Sequence, residues 1–233
     1  MKILLSVLTF FILTVSSYSD CMVGTGGVIE DKVYLPDITS LIINVPMNIV
    51  LTPSISESIL VKTNEDILKN LIFNYDDGEL VINGRQDLCP NNLTIFISLK
   101  KINSIILNKN IKLTSTGTFK TEDFEMEVNG SADIDFAIEA EDIDLNIDGN
   151  GKINLKGSAE ELTISMDGSG SLDAGQLVSD EVNVELDGNG VVTVHPRNSL
   201  KANLDGNGKI YYKNKPKEIS IEKDGNGIIE QIK

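Results

Sequence analysis

Apolar and polar residues alternate with a period of two through the second half of this chain, and a glycine-rich turn interrupts them at a nearly constant interval. The turn reads Asp148-Gly149-Asn150-Gly151, Asp167-Gly168-Ser169-Gly170, Asp187-Gly188-Asn189-Gly190, Asp205-Gly206-Asn207-Gly208 and Asp224-Gly225-Asn226-Gly227, in steps of 19, 20, 18 and 19 residues. A diverged copy, Asn129-Gly130-Ser131-Ala132, precedes them. Over these six copies, the positions five, three and one before the turn and five and seven after its first residue are apolar in 28 of 30 cases. The overall apolar content of 41% gives about 12. One apolar face at period two predicts half-buried strands. A fixed interval near 20 residues predicts a solenoid whose coils bury their apolar faces on one another. The expected fold is therefore all-β, a parallel β-helix with coils of about 19 residues, regular from about residue 102. Variable returns such as Lys156–Glu160 and His195–Asn198 close each coil, and the two exceptions to the pattern, Lys223 and Gln231, predict a polar end to the stack.

Before residue 102 the pattern is less regular but still rich in strands. Ser40–Val45, Asn48–Leu51, Ser58–Lys62 and Glu79–Ile82 are β-branched and partly alternating, punctuated by Pro46, Pro53 and Asp76-Asp77-Gly78. Asn64 followed by Ile67, Leu68, Leu71 and Ile72 at helical spacing predicts one or two helical turns with Asn64 as the cap.

The first residues change the picture of where the chain works. A lysine followed by an apolar run from Ile3 to Val15 and small residues at Ser17 and Ser19 reads as a signal peptide over residues 1–19, with an extension over 20–37 and the solenoid over 38–233. No later apolar run has membrane length. The whole chain carries 20 basic and 35 acidic residues, a formal charge of −15, which argues against a nucleic-acid partner. Export permits a disulfide between Cys21 and Cys89; the rival reading is a lipid-modified Cys21, for which Tyr18-Ser19-Asp20 is a poor signal.

The recurring turn and the layout of the opening strands, from Ile42–Val45 through Asn64-Glu65-Asp66-Ile67-Leu68 to Asp77–Ile82, are similar to a known family. So is the closing Ile210-Tyr211-Tyr212-Lys213-Asn214-Lys215-Pro216. On these residues the chain resembles the bacterial family described as putative auto-transporter adhesin, head GIN domain. The resemblance covers about residues 38–233 and implies an exported right-handed β-helix. This chain departs from the family's usual Ser-Gly-Ser-Gly by placing Asp first in the turn.

The candidate chemistry is sparse. The glycines suit positive φ at the second and fourth turn positions, and the leading aspartate can accept hydrogen bonds from the next backbone amides. Stacked coils also align Asp148, Asp167, Asp187, Asp205 and Asp224 as a possible calcium-binding column, although the nine-residue repeat of calcium-binding β-helices is absent. The asparagines at the third turn position predict a stacked amide ladder. Outward acids, Glu127, Asp133, Asp135, Asp144, Asp173 and Glu185, raise the alternative of a polysaccharide-degrading enzyme. Against it, the single histidine, His195, sits in a return beside Pro196, and no nucleophile set or metal-ligand spacing occurs. The expected function is that of a non-catalytic exported module of the periplasm, outer surface or medium, without a cofactor, which either binds carbohydrate or a surface protein or serves a structural role. Tyr211, an outward aromatic, with Lys209 and Lys201 is the expected sugar contact.

Overall fold

The computed structural model describes residues 21–34 and 37–233. The expected signal peptide lies outside the described residues. In chain order the elements are β1 (Val28–Val33), β2 (Ser40–Ile43), β3 (Met47–Pro53), β4 (Ser58–Asn64), α1 (Glu65–Asn70), β5 (Leu71–Asp76), β6 (Glu79–Gly84), β7 (Leu93–Leu99), β8 (Ser104–Leu107) and β9 (Ile111–Lys120). The regular coils follow as β10 (Asp123–Val128), β11 (Ala132–Glu139), β12 (Asp142–Gly149), β13 (Lys152–Gly168), β14 (Ser171–Gly188), β15 (Val191–Gly206), β16 (Lys209–Lys213), β17 (Glu218–Asp224) and β18 (Ile228–Ile232).

Equivalent positions of successive coils pair in parallel, so the columns counted in the sequence become physical columns. Phe124, Ile143, Leu162, Val182, Leu200 and Ile219 stack in register on one side of the turn, and Ile134, Ile153, Leu172, Val192, Ile210 and Ile229 on the other. Inward residues of all but the last coil are buried and form one continuous core. Within it Phe136 stacks on Phe119 and Phe124, with ring centroids 5.6 and 5.3 Å apart.

The returns are not loops. Lys156–Ala159 continues β13 and pairs with Gln176–Ser179 of β14, which in turn meets His195 and Pro196 of β15. A third stack of short strands thus closes the triangle, because Phe119, Ile138, Ala159 and Leu177 point inward there and are buried. This side also absorbs the 20-residue step, through a register shift beside Asp173. Asp173 accepts from the Gly175 amide at 2.8 Å, and Lys213 donates to the Gly175 carbonyl at 3.1 Å.

The early strands depart most from chain order. β2 lies between β6 and β8, and β3 between β7 and β9, so the 79–99 coil sits outside the 40–53 coil that precedes it in sequence. The intervening chain covers that end: β5 pairs antiparallel with β6, β4 with β7, and β1 of the expected extension with β4. Helix α1 forms where the spacing predicts it, but the Asn64 side chain makes no capping bond; its amide donates to the Gly26 carbonyl at 2.9 Å instead. Thr25 donates from its backbone and hydroxyl to Asp66 at 2.9 and 2.8 Å, which holds that carboxyl below the usual aspartate range. Cys21 is bonded to Cys89 with Cα atoms 5.6 Å apart, which leaves Cys21 no thiol for a lipid.

The opposite end is less polar than expected. Lys223 and Gln231 are exposed there, yet Ile219 and Ile221 remain 40% and 45% exposed, where Leu200 and Ala202 one coil earlier are 2% and 0%.

Candidate functional site

The turn sets the geometry of every candidate residue. The glycine at its second position has positive φ in all five copies, from +98° at Gly225 to +150° at Gly149, while the glycine at the fourth position does not. The fourth position is held to glycine by space: a Cβ on Gly151 would lie 2.7 Å from the Ala132 carbonyl oxygen of the coil beneath. Bonds between coils fix the turns, such as Asn207 N to Gly188 O at 3.0 Å and Lys209 N to Gly190 O at 2.8 Å. The leading aspartates make no hydrogen bond to the turn amides, contrary to expectation, and in the last three copies the amides of Asn189, Asn207 and Gly227 donate to the neighbouring coil instead.

The five aspartates do stack in register, Asp148 on Asp167, Asp187, Asp205 and Asp224. Toward the other end the same column becomes amides: Asn44 donates to Asn83 at 2.8 Å, Asn108 to Asn44 at 2.7 Å and Asn129 to Asn108 at 2.9 Å. The amide ladder therefore occupies the first turn position of the early coils. At the third position, where it was expected, the side chains splay outward and only Asn207 to Asn189 at 3.4 Å joins two of them. Among the described residues no group of three histidine, cysteine or acidic side chains converges as a metal site.

The outward acids divide between faces. From Asp123 on, the outward positions of the first sheet carry three carboxylates on each of β10, β12, β14 and β17, two on β13 and one on β15. The single ammonium among them is Lys201. The outward positions of the second sheet are nearly balanced, with Lys112, Lys152, Lys156, Lys209 and Lys213 against Asp133, Asp135, Asp173 and Glu230. Of the acids considered for catalysis, Glu127, Asp144 and Glu185 lie on the first sheet and Asp133, Asp135 and Asp173 on the second. Asp135 pairs with Lys156 at 2.9 Å, Asp133 with Lys112 at 3.8 Å, and Asp173 with the Gly175 amide. His195 lies on the third side, next to Val178.

Tyr211 and Lys209 sit together on β16, where Tyr211 is flanked by Thr193 and Glu230. Lys201 is not with them; it lies on the first sheet between Asn183 and Ser220. The feature that residue reading missed is a groove of about 820 Å³ along the turn corner, crossing seven coils from Pro90 and Pro46 to Val191. Asn110, Ser131, Asn150 and Ser169, at the third turn position of successive coils, line it beside Lys112, Asp133 and Lys152. In the later coils the paired glycines of each turn leave the corner without side-chain bulk, whereas the turns at Pro46, Pro90 and Asn110 carry no glycine. A second groove, of about 690 Å³, follows the aspartate column from Asp167 to Asp224.

Parallel stacks joined by an in-register turn, glycine-rich in the later coils, define a parallel β-solenoid with coils of about 19 residues. The family described as putative auto-transporter adhesin, head GIN domain, matches residues 37–216, and the chain belongs to it. Among solved structures, a putative adhesin from Bacteroides fragilis NCTC 9343 is similar, with a TM-score of 0.82 and 20% identity, over 91% of this chain and 100% of that one. A putative adhesin from Parabacteroides merdae ATCC 43184 gives 0.71 and 19%, over 92% and 100%. A putative lipid binding protein from Parabacteroides distasonis ATCC 8503 gives 0.63 and 19%, over 91% and 99%. At these identities the likeness shows the fold alone. No curated protein matches the chain.

Proposed function

We propose that this protein is a non-catalytic binding module of the bacterial envelope that holds carbohydrate along its turn corner. The observation that carries this reading is the groove itself, a long mixed surface of amides, hydroxyls and partly exposed proline on a rigid scaffold. The leader-like start of the sequence supports export, and adhesin names within the family support a surface task. Tyr211 with Lys209, the sugar contact expected from the sequence, lies on the second sheet outside this groove and is the rival location for the same ligand, not part of the groove site. Among the described residues no helix is long and apolar enough to cross a membrane.

Degradation of the same polymers is the competing reading. The carboxylates it needs are split between two sheets, and three of them are already engaged by a lysine or a backbone amide, which favours holding over cutting. Incubation of purified protein with a polysaccharide panel separates the two. The proposal expects retention on the polymer and no new reducing or unsaturated ends. Release of such ends, abolished by Asp173→Asn, would overturn it.

A further inference from the structure

We infer that the ligand of the corner groove is an uncharged, extended glycan that lies parallel to the solenoid axis with about one sugar unit per coil. This rests on the carbohydrate-binding reading above. The first argument is period. The groove crosses seven coils, about 29 Å, and its row of third-position amides and hydroxyls recurs about every 4.8 Å over four of them, with Pro46, Pro90 and Val191 extending it at the two ends. That step is close to the length of one hexose unit in an extended chain, so a linear glycan presents its hydroxyls at the spacing at which the protein presents its own groups.

The second argument is the chemistry of the row. Asn110, Ser131, Asn150 and Ser169 are exposed, and none of these side chains makes a hydrogen bond within the protein. Amides and hydroxyls both donate and accept, which matches sugar hydroxyls and pairs with no net charge. Pro46, Pro90 and Val191 add partly exposed apolar surface for the C–H faces of sugar rings.

The third argument is charge. Lys112, Asp133 and Lys152 run side by side across adjacent strands, and Lys112 and Asp133 pair, so the groove is close to neutral. An anionic polymer in this groove would run beside Asp148, Asp167 and Asp187 and the acidic first sheet over the later coils. A cationic one would find its complement in the other groove, beside Asp167 to Asp224. An uncharged chain is the class that the turn corner favours.

The test is calorimetric titration of the purified protein with β-1,4-linked hexasaccharides of glucose, mannose, xylose and N-acetylglucosamine, with polygalacturonate and polylysine as charged comparators. At least one uncharged hexasaccharide should bind, and its affinity should rise with chain length from two to six units and stay constant between 50 and 500 mM NaCl. Asn110→Ala and Asn150→Ala should each weaken binding about two- to tenfold. Ser169→Phe, which fills the groove from an exposed position, should abolish it, while Tyr211→Ala leaves it intact. Each variant is accepted only with an unchanged circular dichroism spectrum and melting temperature. Hexasaccharide binding that survives Ser169→Phe but is lost in Tyr211→Ala would overturn the groove and leave the carbohydrate reading standing. Binding of only a charged polymer, lost at high salt, would overturn the ligand class. Failure of all four hexasaccharides would overturn the proposal, and if the polysaccharide panel is also not retained, the carbohydrate reading falls with it.

Discussion

Replacing Asp187 by asparagine should make this protein more stable, and the size of the effect follows from the stacking. Asp187 lies in register between Asp167 and Asp205, one coil away on each side. At about 4.8 Å in water, two like charges repel by about 0.9 kcal/mol, so removing the central one relieves about 1.7 kcal/mol before screening. A Debye length of about 8 Å at physiological salt reduces this to about 1 kcal/mol, and molar salt removes most of what remains. No turn amide depends on the carboxylate, so no hydrogen bond is lost to offset the gain. Asparagine at this position also matches the amides that already stack in the same column from Asn83 to Asn129. Urea unfolding followed by circular dichroism, at 10 mM, 150 mM and 1 M NaCl, measures the change. The expected series is a stabilisation that falls steadily with salt. A variant that is less stable than the parent at 10 mM NaCl would refute the reasoning. If its deficit appears only with millimolar calcium, the column is a cation ladder and not a row of tolerated charges.

Three further outcomes follow from local structure. Ser179→Ala should raise stability by about 1 kcal/mol in the same unfolding assay, because the Ser179 hydroxyl is fully buried without a partner and the aligned residue one coil earlier is Ala159. Gly188→Ala should lower it by about 2–4 kcal/mol, read as a falling melting temperature, since φ is +116° and a Cβ would lie 2.7 Å from the Gly168 carbonyl oxygen. The carboxyl of Asp66 is held below its ordinary value of 3.8 by Thr25, so its contribution is full above that pH and is lost as acid carries the solution through the lower folded value. Faster amide exchange at Thr25 in Asp66→Asn at pH 6 checks this, and in the parent the same segment should loosen only in strong acid.

The regular coils were legible because each inward column is a strict row of apolar residues, and period two leaves no second way to bury it. What was not legible concerns neighbours. β2 and β6 alternate in the same way, so no residue reveals that the later coil lies outside the earlier one. The third side reads in sequence only as variable returns because its strands are short and absorb the irregular steps beside Gly175 and Pro196. Lys201 is only eight residues from Lys209, yet a turn lies between them, so they fall on different faces. The amide ladder was expected at Asn150 and its equivalents and was found at Asn44, Asn83, Asn108 and Asn129, since hydrogen bonding needs side chains that stack closely and the third turn position splays outward. The groove was invisible in sequence because turns as different as those of Pro90, Asn110 and Asn150 come to line one surface only once the coils stack.

Protease shaving of intact producing cells, with a periplasmic protein as the control, asks whether this solenoid stands at the envelope surface as a binding module there must. A surface module is cleaved while the control survives. If both survive until the outer membrane is opened, the protein does not face outward, and the surface-binding account is contradicted.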